Sequence, residues 1–236
     1  MKKKLVSIIL TAYNEEKNIL KAIQQCRKLK KFFPIEIIVV ESGSRDKTVQ
    51  LAKKAGVDKL ISFPHHKRGK GADFWAGVVA SNGEYIIQID TDLQFQPYEI
   101  PLFVERMKQG ADVVIGTRFG GGSIEKDSIS TRNFLGNKIM SFATSIATGT
   151  KITDVMAGFK GFKKDALLAI DLKEPHFEYE AESVVKTFKL GLKLEQIPIT
   201  YKKRRGGISG IRALQDGTKV LATIFKCWIF YNPNPA

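Results

Sequence analysis

Short apolar runs of strand length alternate with stretches of helical period through the first half of the chain, and that rhythm restricts the fold more than any other feature. Residues 5–10, 35–40, 60–63 and 85–89 read as buried strands, with 113–116 as a further short one. Between them, residues 15–31, 47–55, 72–81 and 98–109 carry helical spacing. Such a succession predicts an α/β fold, a mostly parallel sheet flanked by helices. Past Gly116 the rhythm changes. Gly120-Gly121-Gly122-Ser123 reads as a flexible loop, and residues 133–148 read as a helix rich in small and apolar side chains.

A parallel sheet collects the C-terminal ends of its strands at one edge, where open α/β sheets bind ligands. Three loops belong there: Thr11-Ala12-Tyr13-Asn14-Glu15-Glu16, Glu41-Ser42-Gly43-Ser44-Arg45-Asp46 and Asp90-Thr91-Asp92-Leu93-Gln94. In the last, an apolar run stops at three oxygen-bearing side chains spaced two residues apart. Asp90, Asp92 and Gln94 are therefore candidate ligands for a hard divalent cation, Mg²⁺ or Mn²⁺. The same carboxylates are also compatible with a turn that caps the next helix. Gly43 permits a tight turn, and Ser44 or Asp46 can cap the helix after it.

At 236 residues and 43% hydrophobic content, the chain can bury a sizeable core. We read one α/β domain over 1–212 and a C-terminal helix and tail over 213–236. The net charge of +14 calls for an anionic partner: nucleic acid, an anionic membrane surface or a phosphorylated substrate. Cys26 and Cys227 are the only cysteines, which argues against a disulfide framework or a thiolate metal site and for a reducing cytoplasm. The basic start is followed by too short an apolar run for a signal peptide, and no segment approaches the ~20 apolar residues of a membrane span. His65, His66 and His176 do not lie at metal-binding spacing. Val220, Leu221, Ile224, Phe225, Trp228 and Ile229, interrupted by Lys219 and Lys226, predict an amphipathic helix over 216–231. Such a helix either packs on the domain or lies in a membrane interface.

The three loops, taken with Gly69-Lys70-Gly71-Ala72, Gly116-Thr117-Arg118 and Asp154-Val155-Met156-Ala157-Gly158-Phe159, resemble the family 2 glycosyltransferases of GT-A fold. The similarity covers residues 5–212 and is closest to the dolichol-phosphate mannose synthase branch of polyprenyl-phosphate hexosyltransferases. The resemblance implies a Rossmann-like catalytic domain. Its reaction would be inverting, metal-dependent transfer of a hexose from a nucleotide sugar, GDP-mannose or a UDP-hexose, to a polyisoprenyl phosphate. Ala12, Tyr13, Glu15 and Glu41 would then face the nucleoside, with Ser42, Gly71 and Thr91 as further substrate-binding positions. Asp90, Asp92 and Gln94 would hold the metal. Arg118 and Arg132 would act with Asp92 in catalysis, and with Arg204, or its neighbour Arg205, would clamp the lipid phosphate. Ser209 belongs to the same acceptor loop, and Asp154 and Glu180 would border the sugar.

Two positions depart from the family pattern. Its usual Asp-Asp-Gly-Ser loop is Glu41-Ser42-Gly43-Ser44 here, which bears on the choice between GDP and UDP. In the loop resembling Arg-x-x-Gly-x-Ser-Lys, Gly210 replaces the lysine and Arg212 follows two positions on.

Chemistry supports the same assignment. As a nucleoside diphosphate leaves, negative charge grows on its oxygens, and a divalent ion stabilises it by several kcal/mol, on the order of a Lewis-acid effect. A phosphate acceptor has a second pKa of about 6 and attacks without a general base. It needs cations, and the planar arginine fork suits phosphate. A hydroxyl acceptor on a glycan or small molecule would instead require a base, for which Asp154 and Glu180 are the candidates. A basic nucleic-acid-binding module is the non-enzymatic alternative. It is disfavoured because acidic loops at the sheet edge would repel a phosphate backbone. A lipid acceptor places the protein peripherally at the cytoplasmic face of a membrane.

Overall fold

A computed structural model of the chain describes residues 4–63, 69–206 and 213–233. Its core is a seven-stranded sheet of β1 (Val6–Ala12), β2 (Ile35–Glu41), β3 (Lys59–Ser62), β4 (Tyr85–Ile89), β5 (Val113–Thr117), β7 (Phe159–Lys163) and β8 (Leu194–Pro198). The spatial order is β3-β2-β1-β4-β7-β5-β8. All neighbours run parallel except β7, which is antiparallel to β4 and β5 on either side of it. A small parallel pair, β6 (Ser123–Ile124) and β9 (Thr200–Tyr201), lies outside this sheet.

Alternation along the strands sorts the core into two layers, since successive side chains point to opposite faces. Ile8, Leu10, Ile37, Val39 and Ile87 pack on one side with α1 (Ile19–Arg27) and α4 (Ile100–Lys108). Ile9, Ile38, Val40 and Ile86 pack on the other with α3 (Lys70–Ala80) and α6 (Lys164–Ile170). Burial on both faces is why β1 and β2 read as nearly unbroken apolar runs. Between the strands α2 (Thr48–Lys54) follows β2, and α5 (Thr131–Thr148) and α7 (Tyr179–Lys189) belong to the second half. The C-terminal α8 (Ala213–Phe230) packs against α5 and α7 and buries Val220, Ile224 and Cys227.

The structure differs from the sequence expectation in α1 and in the second half, where β6, β7, β8, β9, α6 and α7 had no expected bounds. The helix expected over 15–31 begins only at Ile19, because Glu15 O accepts from both Asn18 N and Ile19 N at 3.0 and 2.8 Å and closes a turn first. It ends at Arg27 and continues as a 3₁₀ turn over Lys28–Lys31. Strand β7 was not anticipated: its Phe-Lys-Gly-Phe-Lys pattern puts a lysine, Lys160, at a fully buried position.

Candidate active site

The C-terminal ends of β1, β2 and β4 lie side by side, and their loops are tied together by polar contacts. Asn14 N donates to Ser44 Oγ (3.0 Å), Glu15 N to Thr48 Oγ1 (2.8 Å), and Glu16 N to Asp46 Oδ2 (3.1 Å). Asp46 also accepts from Thr48 N at 2.9 Å from one residue before the N-cap, which is Lys47, so neither Asp46 nor Ser44 is the cap the sequence suggested, and Ser44 serves the first loop instead. Ala12, Glu41, Ser42 and Thr91 are buried at this edge, and Tyr13 stands exposed beside it. Glu41 accepts from Ser62 Oγ at 2.8 Å and from Ser44 N; Ser42 Oγ donates to Asp73 at 2.6 Å. Thr91 Oγ1 reaches Thr11 O at 3.3 Å.

Glu15, Asp90 and Asp92 bring negative charge together here, and two cations answer it. Lys70 Nζ lies 2.7 Å from Asp90 Oδ1, and Arg204 Nη2 lies 2.6 Å from Asp92 Oδ2, with Nη1 3.9 Å from Glu15. Burial, followed by the charge of Asp90, pushes the Asp92 carboxyl above its ordinary range. Glu15 is raised as well, first by burial and then by Asp92 and Asp90 against the help of Asn18 and Arg204. Within this loop Leu93 adopts a left-handed φ of 63°, a strain of the sort that concentrates at functional sites.

The donor set fits a hard divalent ion. Its atoms are carboxylate and amide oxygens; Asp92 and Glu15 are raised first by burial and then by neighbouring carboxylates, and that second part is what a cation relieves. Among the described residues no three His, Cys, Asp or Glu side chains gather closely enough to enclose an ion alone. An ion held here would complete its shell with water and substrate. Gln94 Nε2 donates to Ser128 O and Lys202 O at 3.2 and 3.1 Å, which leaves Oε1 as the oxygen it could offer a cation. Gly158 abuts the Asp90 carboxylate so closely that a Cβ there would collide with it.

A buried ionic chain runs inward from this edge. Glu180 meets Lys70 Nζ at 3.1 Å, Lys160 Nζ at 2.5 Å and Gln88 Nε2 at 2.7 Å. Burial alone would raise Glu180, but the two ammoniums outweigh it and hold its pKa at about 2. Burial lowers Lys160, and Glu180 only partly restores it. For Lys70, Asp90 and Glu180 overcome burial and keep it above the ordinary lysine value.

The remaining expected residues fall into separate places. Arg118 donates from Nε and Nη2 to the two Asp154 oxygens, both at 2.7 Å, and its guanidinium stacks on Tyr201 and Phe119 at 5.0 and 5.2 Å. The fork expected to face a phosphate is thus turned onto Asp154. Gly71 packs under Glu174 O and His176 O, so its close approach is to that segment of the chain and not to the open edge. Arg132 stands exposed in the first turn of α5. Ser209, with Gly207, Gly210 and Arg212, lies outside the described residues, as do His65 and His66. Sequence reading passed over Lys70, present only inside a glycine motif, and Lys160, whose one signal is a lysine in an apolar strand.

The sheet and its flanking helices have the GT-A fold. Residues 7–170 match the model of glycosyl transferase family 2, and the chain belongs to that family. It is 31% identical over 231 residues to an uncharacterized protein of Methanocaldococcus jannaschii, covering 95% of this chain and 93% of that one. It is 26% identical to the glycosyltransferase AglJ of Haloferax volcanii, over 94% of this chain and 71% of the relative. Identity is also 26% to the dolichol-phosphate mannosyltransferase of Pyrococcus furiosus, where the match spans 88% of this chain and 59% of the longer relative. Among solved structures, glucosyl-3-phosphoglycerate synthase of Mycobacterium tuberculosis, in complex with Mn²⁺, UDP and phosphoglyceric acid, superposes with a TM-score of 0.76. Its identity is 22%, and the match covers 97% of this chain and 80% of that one, a likeness of fold.

Proposed function

We propose that this glycosyltransferase moves a hexose, mannose or glucose, from a nucleotide sugar to a polyisoprenyl phosphate with inversion at C1. The observation that carries the acceptor class is the state of the two carboxylates that could have served as base for a hydroxyl. Asp154 is wholly buried and fork-bound to Arg118, and Glu180 is wedged between Lys160 and Lys70. Neither is placed to take a proton from an incoming alcohol. A phosphate monoester, whose second pKa is about 6, brings its own oxyanion.

In this reading Asp92, Asp90 and Gln94 Oε1 hold a divalent ion, which when bound neutralises charge on the departing diphosphate. Glu15, Glu41, Ser42, Ala12 and Tyr13 form the nucleoside end, and Lys70 is positioned by Glu180 beside Asp90, where the diphosphate would lie. Arg204, now on Asp92, and Arg132 supply fixed positive charge for the acceptor phosphate. Arg118 acts through Asp154, whose loop it fixes. An acceptor oxygen attacks C1 while the bond from C1 to the diphosphate oxygen breaks, and the departing charge remains on the nucleotide. Exposed Phe225, Trp228, Ile229 and Phe230 near the end of α8 support peripheral membrane contact. Among the described residues no helix is long and apolar enough to cross a membrane.

A small phosphorylated acid is the second acceptor to test, because the same cations suit it and the similar M. tuberculosis enzyme is described with phosphoglyceric acid. The experiment is transfer from a panel of GDP- and UDP-sugars to a short polyprenyl phosphate or 3-phosphoglycerate, with Mg²⁺ or Mn²⁺, products being weighed by mass spectrometry. A sugar-phosphate-lipid that disappears with chelator or in Asp92→Ala supports the proposal. Transfer only to the small acid, or only to a hydroxyl acceptor, refutes the lipid acceptor.

A further inference from the structure

Helix α5 is built inside out. Its buried stripe is polar: Asn137, Ser141 and Thr144 are each no more than 3% exposed. Its opposite stripe is apolar: Leu135, Ile139, Phe142 and Ile146 are 58, 52, 69 and 55% exposed. At about 100° per residue, the outer stripe repeats at spacings of four, three and four residues and the inner at four and three, and the two lie roughly half a turn apart. A helix whose outer face meets only water shows the reverse arrangement.

The inner stripe has a clear purpose. Asn137 Oδ1 accepts from Met156 N at 3.2 Å, Ser141 Oγ from Val155 N at 3.0 Å, and the adjacent Ser145 Oγ from Ile152 N at 2.9 Å. These bonds hold the backbone on either side of Asp154, the partner of Arg118. Among the described residues the outer stripe meets nothing comparable. α8 packs on α5 and adds exposed Phe225, Trp228, Ile229 and Phe230 to the apolar surface of this helix pair. Apolar surface of this extent marks an interaction site.

We propose that the outer face of α5 is the surface by which this protein docks on an anionic lipid bilayer, seating Leu135, Ile139, Phe142 and Ile146 below the headgroups. The inference deepens the lipid-acceptor reading and rests on it for its biological purpose. Charge selects the occupant. α5 carries Arg132 and Lys138 and no acidic residue, and by helical spacing these two cations flank the apolar stripe on its two sides. Apolar centre and cationic flanks are what an anionic interface accepts, the long stems reaching up to the phosphates. A second copy seated on the same face would bring together two faces that carry Arg132 and Lys138 and no acidic residue of α5, in a chain of net charge +14. Docking also places Arg132, an acceptor-clamp candidate, at headgroup depth, where a lipid phosphate waits.

The test uses the full chain and vesicles free of polyprenyl phosphate, made of phosphatidylcholine with or without phosphatidylglycerol. Wild type is expected to sediment with the anionic vesicles and to release as salt rises. The double variant Ile139→Ser/Phe142→Ser should partition on the order of 100-fold more weakly, about tenfold for each apolar side chain withdrawn from the interface. Its circular dichroism and melting should match wild type, since both side chains are exposed. Val79→Ser, an equally exposed apolar position on α3, should change nothing. Equal partitioning of wild type and the double variant overturns the proposal. So does a wild type that ignores vesicles but runs as a dimer which the double variant breaks, an outcome that gives the face to a second copy. Failure of the acceptor reading looks different: vesicle binding that depends on residues 139 and 142, with no transfer to polyprenyl phosphate, removes the acceptor and leaves the docking surface standing.

Discussion

Arg118 closes both Nε and Nη2 on the Asp154 carboxylate at 2.7 Å and adds its backbone N–H to the same group at 2.9 Å. With side chains 9 and 0% exposed, this is a buried, desolvated ion pair. Burial opposes the charge on Arg118, yet Asp154 holds its pKa above the ordinary value. Removing one partner of such a pair strands the other, at a cost of about 3–5 kcal/mol. Asp154→Ala and Arg118→Ala should each lose that much in urea unfolding at neutral pH. Arg118→Lys keeps the charge but loses the fork and should fall between. The double variant Arg118→Met/Asp154→Leu should recover most of the stability. If either single variant unfolds like wild type, the pair does not stabilise this loop.

Glu180 gives the ionic chain a pH signature. Its folded pKa of about 2 lies below the ordinary value of 4.5, so the stability it contributes is present above pH 4.5 and lost as pH falls toward 2. The shift corresponds to on the order of 3 kcal/mol. Glu180→Gln should therefore be less stable than wild type at pH 7, with a difference that narrows below pH 4.5. Urea midpoints measured across that range for both proteins give the answer. A constant difference would mean that Glu180 acts through packing and not through its charge.

Much of this was legible in the sequence because periodicity and termination are local signals. β1, β2 and β4 announce themselves as short apolar runs, and the Asp-x-Asp end of β4 marks the sheet edge that carries the candidate site. Strand β7 was not legible: Lys160 interrupts its apolar alternation, and the carboxylate that makes the lysine tolerable, Glu180, lies twenty residues further on in α7. Only three-dimensional pairing reveals it. The start of α1 was misplaced for a related reason, since Glu15 reads as a helix former while its carbonyl is engaged in a turn. For α5 the sequence shows a helix but not its orientation. Small polar residues look like the outer face until their bonds to the backbone of 152–156 are seen.

Asp92, the proposed metal ligand, is under electrostatic strain in the protein alone. Its raised pKa means that its ionised form costs stability at neutral pH, and the penalty fades as pH falls and the group protonates. Asp92→Asn, free of metal, should unfold at the same urea concentration as wild type or a higher one. Addition of Mn²⁺ with a nucleoside diphosphate should stabilise wild type, by about 2.7 kcal/mol at a hundredfold excess over Kd, and leave Asp92→Asn unmoved. Wild-type metal affinity should decline on acidification at a higher pH than an ordinary aspartate would impose. A variant that keeps the metal-dependent stabilisation would remove Asp92 from the ligand set.

Gly158 offers a way to move one carboxylate without removing it. Its φ is not in the left-handed region, so alanine fits the backbone, but the new Cβ would lie about 2.7 Å from Asp90 Cγ and closer still to an oxygen. The Asp90 side chain is 26% exposed, so it can swing outward at modest cost, stretching its ion pair with Lys70. Folding should survive, with a stability loss of no more than about 1 kcal/mol. Turnover should not survive equally well, because a displacement of about 1 Å in a positioned group can cost on the order of 100-fold. Gly136→Ala is the matched control. Its Cβ meets nothing nearer than Met140 Cε at 4.0 Å, and alanine favours a helix by about 1 kcal/mol. Steady-state transfer measured for both variants separates the cases: Gly158→Ala at wild-type rate would show that the position of the Asp90 carboxylate is immaterial to the reaction, whereas a large loss with the fold intact assigns it to the diphosphate end of the site.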